Sequence, residues 1–198
     1  MYKWGNIIES SLAKLDLSSE EAEVQGLLNR FPYYADEVIT QICSTIKPKA
    51  NFAEFVITDN EIGVVQTMPD DFISFGDDVN QRTYQEYNAI FVEEAHDDDF
   101  SYLGYNKIIF KKTGTYQISY NARWFNFVNP KNALNTNTSI DIPMDIINCI
   151  PLYIASQCFK IDDEYKASVF RNEYEIALAR IDDTNYKNTK TFKIGGDW

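Results

Sequence analysis

The hydrophobic period of this 198-residue chain changes twice along its length. In the first fifty residues apolar side chains recur at helical spacing, as in Ala35, Val38, Ile39, Ile42 and Ile46. In the middle the period drops to two: Tyr116, Ile118, Tyr120 and Ala122 alternate with Gln117, Ser119, Asn121 and Arg123. That alternation marks a half-buried antiparallel strand. From Met144 onward the helical period returns. The expected fold class is α+β: mainly an α-helical bundle with an antiparallel β insert and an extended C-terminal tail. The expected segments are N-terminal helices over 1–50, a β-rich insert over 51–138, C-terminal helices over 139–183 and a docking tail over 184–198.

Local signals place the elements. Ile7, Ile8 and Leu12 begin an amphipathic helix. Ser18 and Glu21 match a capping box, in which each side chain satisfies a backbone N–H at a helix start. Val24, Leu27 and Leu28 supply that helix's apolar face, Phe31-Pro32 breaks it, and Pro48 ends the third helix. Residues 52–58 and 62–67 flank Asp59-Asn60, which predicts a hairpin. Ala89–Glu94, Lys107–Phe110 and 115–124 read as strands, and 126–138 as a polar connector. Residues 144–159 are apolar nearly all round, so they belong at the centre of the helical part, where Pro151 kinks or divides them. Asp162 or Asp163 caps the last helix, whose buried face is Ala167, Phe170, Tyr174, Ala177, Leu178 and Ile181, with Arg171 and Glu175 an exposed pair.

Composition excludes several functions. The net charge is −12, from 30 acidic against 18 basic residues, which argues against gripping nucleic acid by its phosphates. Aromatic residues reach 15%, with 13 Tyr, and an excess of Tyr points to contact surface. Cys43, Cys149 and Cys158 make no disulfide framework. On one helix Cys149 and Cys158 stand about 13 Å apart, from about 1.5 Å per residue, and a bridge needs Cα atoms within about 7 Å. Free thiols in a reducing compartment are expected. The N-terminal stretch has no long apolar core, and Asp145, Asn148, Ser156 and Gln157 interrupt 144–159. The chain therefore reads as soluble and made in a cytoplasm, with no membrane partner.

No catalytic, cofactor or metal residue is assigned. His96 is the only histidine, and it stands in an acidic run with Asp97, Asp98 and Asp99 that reads as a charged loop. The run lacks the spacing of a calcium loop, and adjacent carboxylates on extended backbone point to opposite faces. A metal-dependent hydrolase using His96 and Asp97–Asp99 is the rival from another class. Neither glycine-rich phosphate motif is present, and no two cysteines have zinc-ligand spacing. The tail reverses the charge of the body: Lys187, Lys190 and Lys193 stand against Asp197, among Phe192, Ile194 and Trp198. It reads either as an untidy terminus or as a docking peptide with lysines for steering and an aromatic anchor.

Three stretches together resemble the head–tail connector proteins of tailed bacteriophages, also called adaptor, neck or head-completion proteins. They are Met68-Pro69-Asp70-Asp71-Phe72-Ile73-Ser74, then the strand from Gly114-Thr115-Tyr116 to Asn121-Ala122-Arg123, then Ile142-Pro143 leading to Asp162-Asp163-Glu164 and Asn172-Glu173-Tyr174-Glu175. The likeness spans most of 7–181 and lies in order and spacing. It implies a small helical bundle with a β insert, forming a homo-oligomeric ring, often twelve-fold, under the portal protein. Such a ring extends the DNA channel and carries the next neck or tail protein, while double-stranded DNA passes through its lumen without specific binding. Carboxylates facing that lumen would repel the duplex. The resemblance assigns portal docking by position to the tail, with Lys187, Lys190, Phe192, Lys193, Ile194 and Trp198. Trp124, Phe125 and Phe127 are the candidates for a subunit interface, or alternatively pack over the bundle. The chain departs from shorter adaptors in its larger aromatic insert and in Pro151. The nearest alternative is another head or tail accessory subunit of a virion.

Overall fold

A computed structural model describes residues 2–24, 26–128, 134–160 and 162–188. In chain order the elements are β1 (Tyr2–Lys3), α1 (Trp4–Leu15), α2 (Ser19–Val24), α3 (Phe31–Thr45), β2 (Lys49–Ile57), β3 (Val65–Thr67), β4 (Phe72–Phe75), β5 (Gln81–Glu86) and β6 (Ala89–Glu94). There follow β7 (Phe100–Leu103), β8 (Lys107–Phe110), β9 (Gly114–Ala122), β10 (Ser139–Ile140), α4 (Met144–Ile147), α5 (Cys149–Phe159) and α6 (Glu164–Asn188). They divide into two units, Met1–Lys47 with Phe125–Trp198, and Pro48–Trp124.

This corrects the expected fold class. The chain is not a mainly helical bundle, because helix is about 40% and strand 28%, in three antiparallel sheets. The physical reason is that Pro48–Trp124 carries enough inward aromatic and β-branched side chains to close its own core. The tail also departs from expectation at its start. α6 runs to Asn188, so the first residues of 184–198 continue a helix.

In the first unit α5 packs against α1, α3 and α6, the central place its apolar surface predicts. Cys149, Ile150, Tyr153, Ile154 and Ala155 are all buried there. The helix is divided, but at Asn148 rather than Pro151. Pro151 sits in the first turn of α5, where an N–H has no intrahelical acceptor to lose. The Ser18–Glu21 box forms as read: the Ser18 N–H and hydroxyl donate to Glu21 Oε2 at 2.8 and 2.7 Å, and the Glu21 N–H donates to Ser18 Oγ at 3.2 Å. At the start of α6, Asp163 Oδ1 accepts the Lys166 N–H at 3.0 Å. Tyr174 is fully buried, rests 5.1 Å from the Tyr153 ring and donates its hydroxyl to Gln41 Oε1 at 2.9 Å. Gly5 donates its N–H to Thr136 O at 2.9 Å, and a Cβ there would stand 2.9 Å from the same oxygen.

The second unit has a five-stranded sheet in the order β2-β9-β5-β6, with β4 also on β9, and a three-stranded sheet β3-β8-β7. Both sheets feed one core, which includes Ala53, Ile57, Phe100, Ile108, Phe110, Tyr116, Ile118, Tyr120 and Ala122. The alternation in β9 is realised: Tyr116, Ile118, Tyr120 and Ala122 are buried and Gln117 is exposed. Ser119 is buried against expectation, because its hydroxyl donates to Asp78 O at 2.9 Å.

The hairpin expected around Asp59-Asn60 does not form. β2 pairs with β9 from Lys49↔Ala122 to Ile57↔Gly114, while β3 joins the other sheet through Val65↔Ile109. Thr58 and Glu61 close a capping box around a 3-10 turn, Asp59–Glu61, and that turn carries the chain from one sheet to the other.

Candidate functional site

The acidic run that suggested metal chemistry folds into a turn. Asp99 donates its N–H to His96 O at 2.8 Å, and its Oδ2 accepts the His96 N–H at 3.0 Å. The Asp99 side chain is only 4% exposed. Its Oδ1 accepts no well-aligned hydrogen bond and is held by charge: Lys112 Nζ stands at 2.6 Å and Arg82 at 4.0 Å. Burial pushes the Asp99 carboxyl up, but the Lys112 ammonium, the His96 N–H and the Arg82 guanidinium outweigh it and hold the group below its usual value. Lys111 Nζ donates to the Asp97 carbonyl at 2.6 Å.

Arg82 is the hub. Its Nε and one terminal nitrogen donate to Thr113 O at 3.0 and 2.7 Å, and its other terminal nitrogen donates to Glu93 Oε1 at 2.8 Å. The guanidinium lies 4.4 Å from the centre of the Tyr84 ring, within cation–π reach. The cluster therefore ties β5, β6, the 97–99 turn and the approach to β9 together. Two cations already flank the buried Asp99 carboxylate, so a divalent ion there would meet repulsion as well as ligands. Among the described residues no group of three or more His, Cys, Asp or Glu is placed to hold a metal. The sequence reading missed Arg82, although it is the only lysine or arginine between Lys49 and Lys107.

The proposed interface trio separates. Phe127 is 3% exposed, lies 5.2 Å from the Trp4 ring and 4.8 Å from Phe125, and donates its N–H to Asp36 Oδ1 at 3.2 Å. It is a core residue of the first unit. Trp124 and Phe125 are half-buried. Of the tail candidates, Lys187 falls on the last turn of α6. Lys190, Phe192, Lys193, Ile194 and Trp198 lie outside the described residues.

The exposed apolar surface that sequence reasoning missed lies on the sheet edges. The pairing register puts Phe52 and Val56 of β2, Gln117 of β9, Gln81, Thr83 and Gln85 of β5, and Ile90 and Val92 of β6 on the face opposite the core. The two middle strands show polar side chains on that face. The edge strands show Phe52 at 52% exposure, Val56 at 61%, Ile90 at 74% and Val92 at 65%, with exposed Glu54 between the first two and Glu94 beyond Val92. All six residues of β6 are exposed, and its hairpin turns through Tyr87 and Asn88, both at positive φ as a type I′ turn requires.

The two aromatic motifs of the middle segment meet in space. Tyr120 donates its hydroxyl to Asp71 Oδ1 at 2.9 Å, Arg123 donates its N–H to Asp71 O at 2.8 Å, and Phe72 pairs with Ala122. Among the described residues no helix is long and apolar enough to cross a membrane. Compared with protein-family models and with curated proteins, the chain matches none.

Proposed function

We propose that this chain is a structural virion protein, a head–tail connector subunit that assembles as a ring under the portal and extends the DNA channel. The observation that carries the reading is the meeting of the first two stretches behind the resemblance. The Pro69-Asp70-Asp71-Phe72 step and the Gly114–Ala122 strand are one hydrogen-bonded unit through Asp71 and Tyr120. The Ile142-Pro143 entry leads into α4 and α5, and α5 packs on α6, which contains Asn172 to Arg180. In a connector the helices hold the ring body, the β unit offers the contact platform, and the basic 184–198 segment docks on the portal. No catalysis is part of this reading. The net charge of −12 supports passage of DNA without adhesion.

The test mixes purified protein with the portal ring of the same virion and images the product by electron microscopy. A second ring seated on the portal is expected, with no metal requirement. Deletion of 184–198 should abolish the complex. Undiminished binding after that deletion refutes the docking tail, and failure of the full chain to bind portal refutes the connector reading.

A further inference from the structure

We propose that copies of this chain join edge to edge, β6 of one copy pairing with β2 of the next. Among the described residues β6 pairs only with β5 and β2 only with β9, so each has one side with no strand partner. A strand with unpaired N–H and C=O groups is a template for another strand. Natural edges are blunted by charge or proline; here charge stands only at one end of β6, in Glu93 and Glu94, and Ile90 and Val92 leave the rest apolar and exposed.

Three features select β2 of a second copy as the occupant. Direction is the first. β2, β9, β5 and β6 alternate, so a neighbour in the same orientation sets its β2 antiparallel to β6 and continues the sheet. Face is the second. Ile90 and Val92 share a face with Phe52, so the extended sheet sets these three apolar side chains side by side, with Glu54 and Val56 beyond the end of β6. Charge is the third. β6 ends in Glu93, which already holds Arg82, and Glu94, and β2 begins with Lys49, which antiparallel pairing sets opposite Glu93. With Ile90 opposite Phe52, Val92 falls opposite Ala50 and Glu93 opposite Lys49. A two-fold pairing of β6 with β6 would leave Phe52 uncovered and bring no lysine to Glu93. The contact is heterologous, and such contacts close into rings when their rotation allows. This supplies the subunit contact of the connector reading and rests on that reading only for the closure of the ring.

The experiment uses two full-length variants, Ile90→Cys and Phe52→Cys, treated separately and mixed with a short bismaleimide cross-linker. Wild type, with its own three cysteines, gives the background. A covalent dimer is expected in the mixture and in neither variant alone. Cross-linking of Ile90→Cys to itself would establish the two-fold contact and overturn the proposal, as would a mixture no more cross-linked than wild type. Ile90→Lys with Val92→Lys should abolish self-association in sedimentation velocity while leaving the thermal transition in place; unchanged self-association also overturns it. A protein that cross-links but ignores portal keeps this contact and loses the connector reading. One that binds portal without the cross-link does the reverse.

Discussion

The Tyr120 hydroxyl lies 2.9 Å from Asp71 Oδ1 as donor and 2.9 Å from Asn51 Nδ2 as acceptor, so one phenol links three strand-flanking segments of the β unit. Burial, with the Asp71 carboxylate beside it, pushes the phenol up to about 12. Tyr120→Phe keeps the ring and leaves both partners half-buried without it, a loss of about 1–3 kcal/mol. Urea unfolding measures this, and a cycle with Asp71→Asn isolates the pair. Losses that simply add would mean that the two side chains do not interact.

Asp99 sets an acid limit on the β unit. Its folded pKa is lowered from 3.8, so its contribution is fully present above that value and is lost as pH falls through the folded value. Many other carboxylates titrate in the same window, so the measurement is the difference between wild type and Asp99→Asn. That difference should be constant from neutral pH to about 5 and shrink below about 4. A difference independent of pH would mean that Lys112 and Arg82 do not hold the carboxylate charged.

Gly114 opens β9 at φ +142°, and a Cβ there would stand 2.9 Å from the Thr83 carbonyl oxygen. Gly114→Ala combines a backbone state closed to L side chains with a contact against backbone that belongs to β5. A destabilisation of about 2–4 kcal/mol is expected from strain and displaced pairing. Thermal unfolding tests it. A wild-type transition would mean that β9 starts elsewhere.

How far the sequence speaks depends on which contacts specify each element. The Ser18–Glu21 box, the Asp163 cap, the central apolar helix and the alternation of β9 were legible because neighbours within a few residues decide them. β5 and β7 were missed although each has a local hairpin partner in β6 and β8, and β4 was missed because its strand state comes from pairing with distant β9. The hairpin at Asp59-Asn60 was misread for the same reason: a turn signal says that the chain turns, and the long-range partner says where it goes. The balance of helix and strand was misjudged accordingly. Of the candidate residues, Phe127 looked identical to Phe125 in sequence, and only the packing of Trp4 separates them. Arg82 carried a signal in its isolation among acids, but its partners Thr113 and Glu93 needed the fold.

That separation makes the last prediction. Phe127→Ala empties a site against Trp4 in the core of the helical unit, and truncating a buried Phe costs about 3–5 kcal/mol through lost burial and the cavity left behind. Phe125, half-buried, has solvent on one side already, so Phe125→Ala should cost about 1 kcal/mol or less. Unfolding curves for the two variants measure the contrast. Assembly with portal then has a clean reading for Phe125→Ala alone, because its fold survives: weakened assembly places Phe125 at a contact, and unchanged assembly leaves it to pack on Phe127. Equal destabilisation by both substitutions would contradict the burial difference from which the prediction starts.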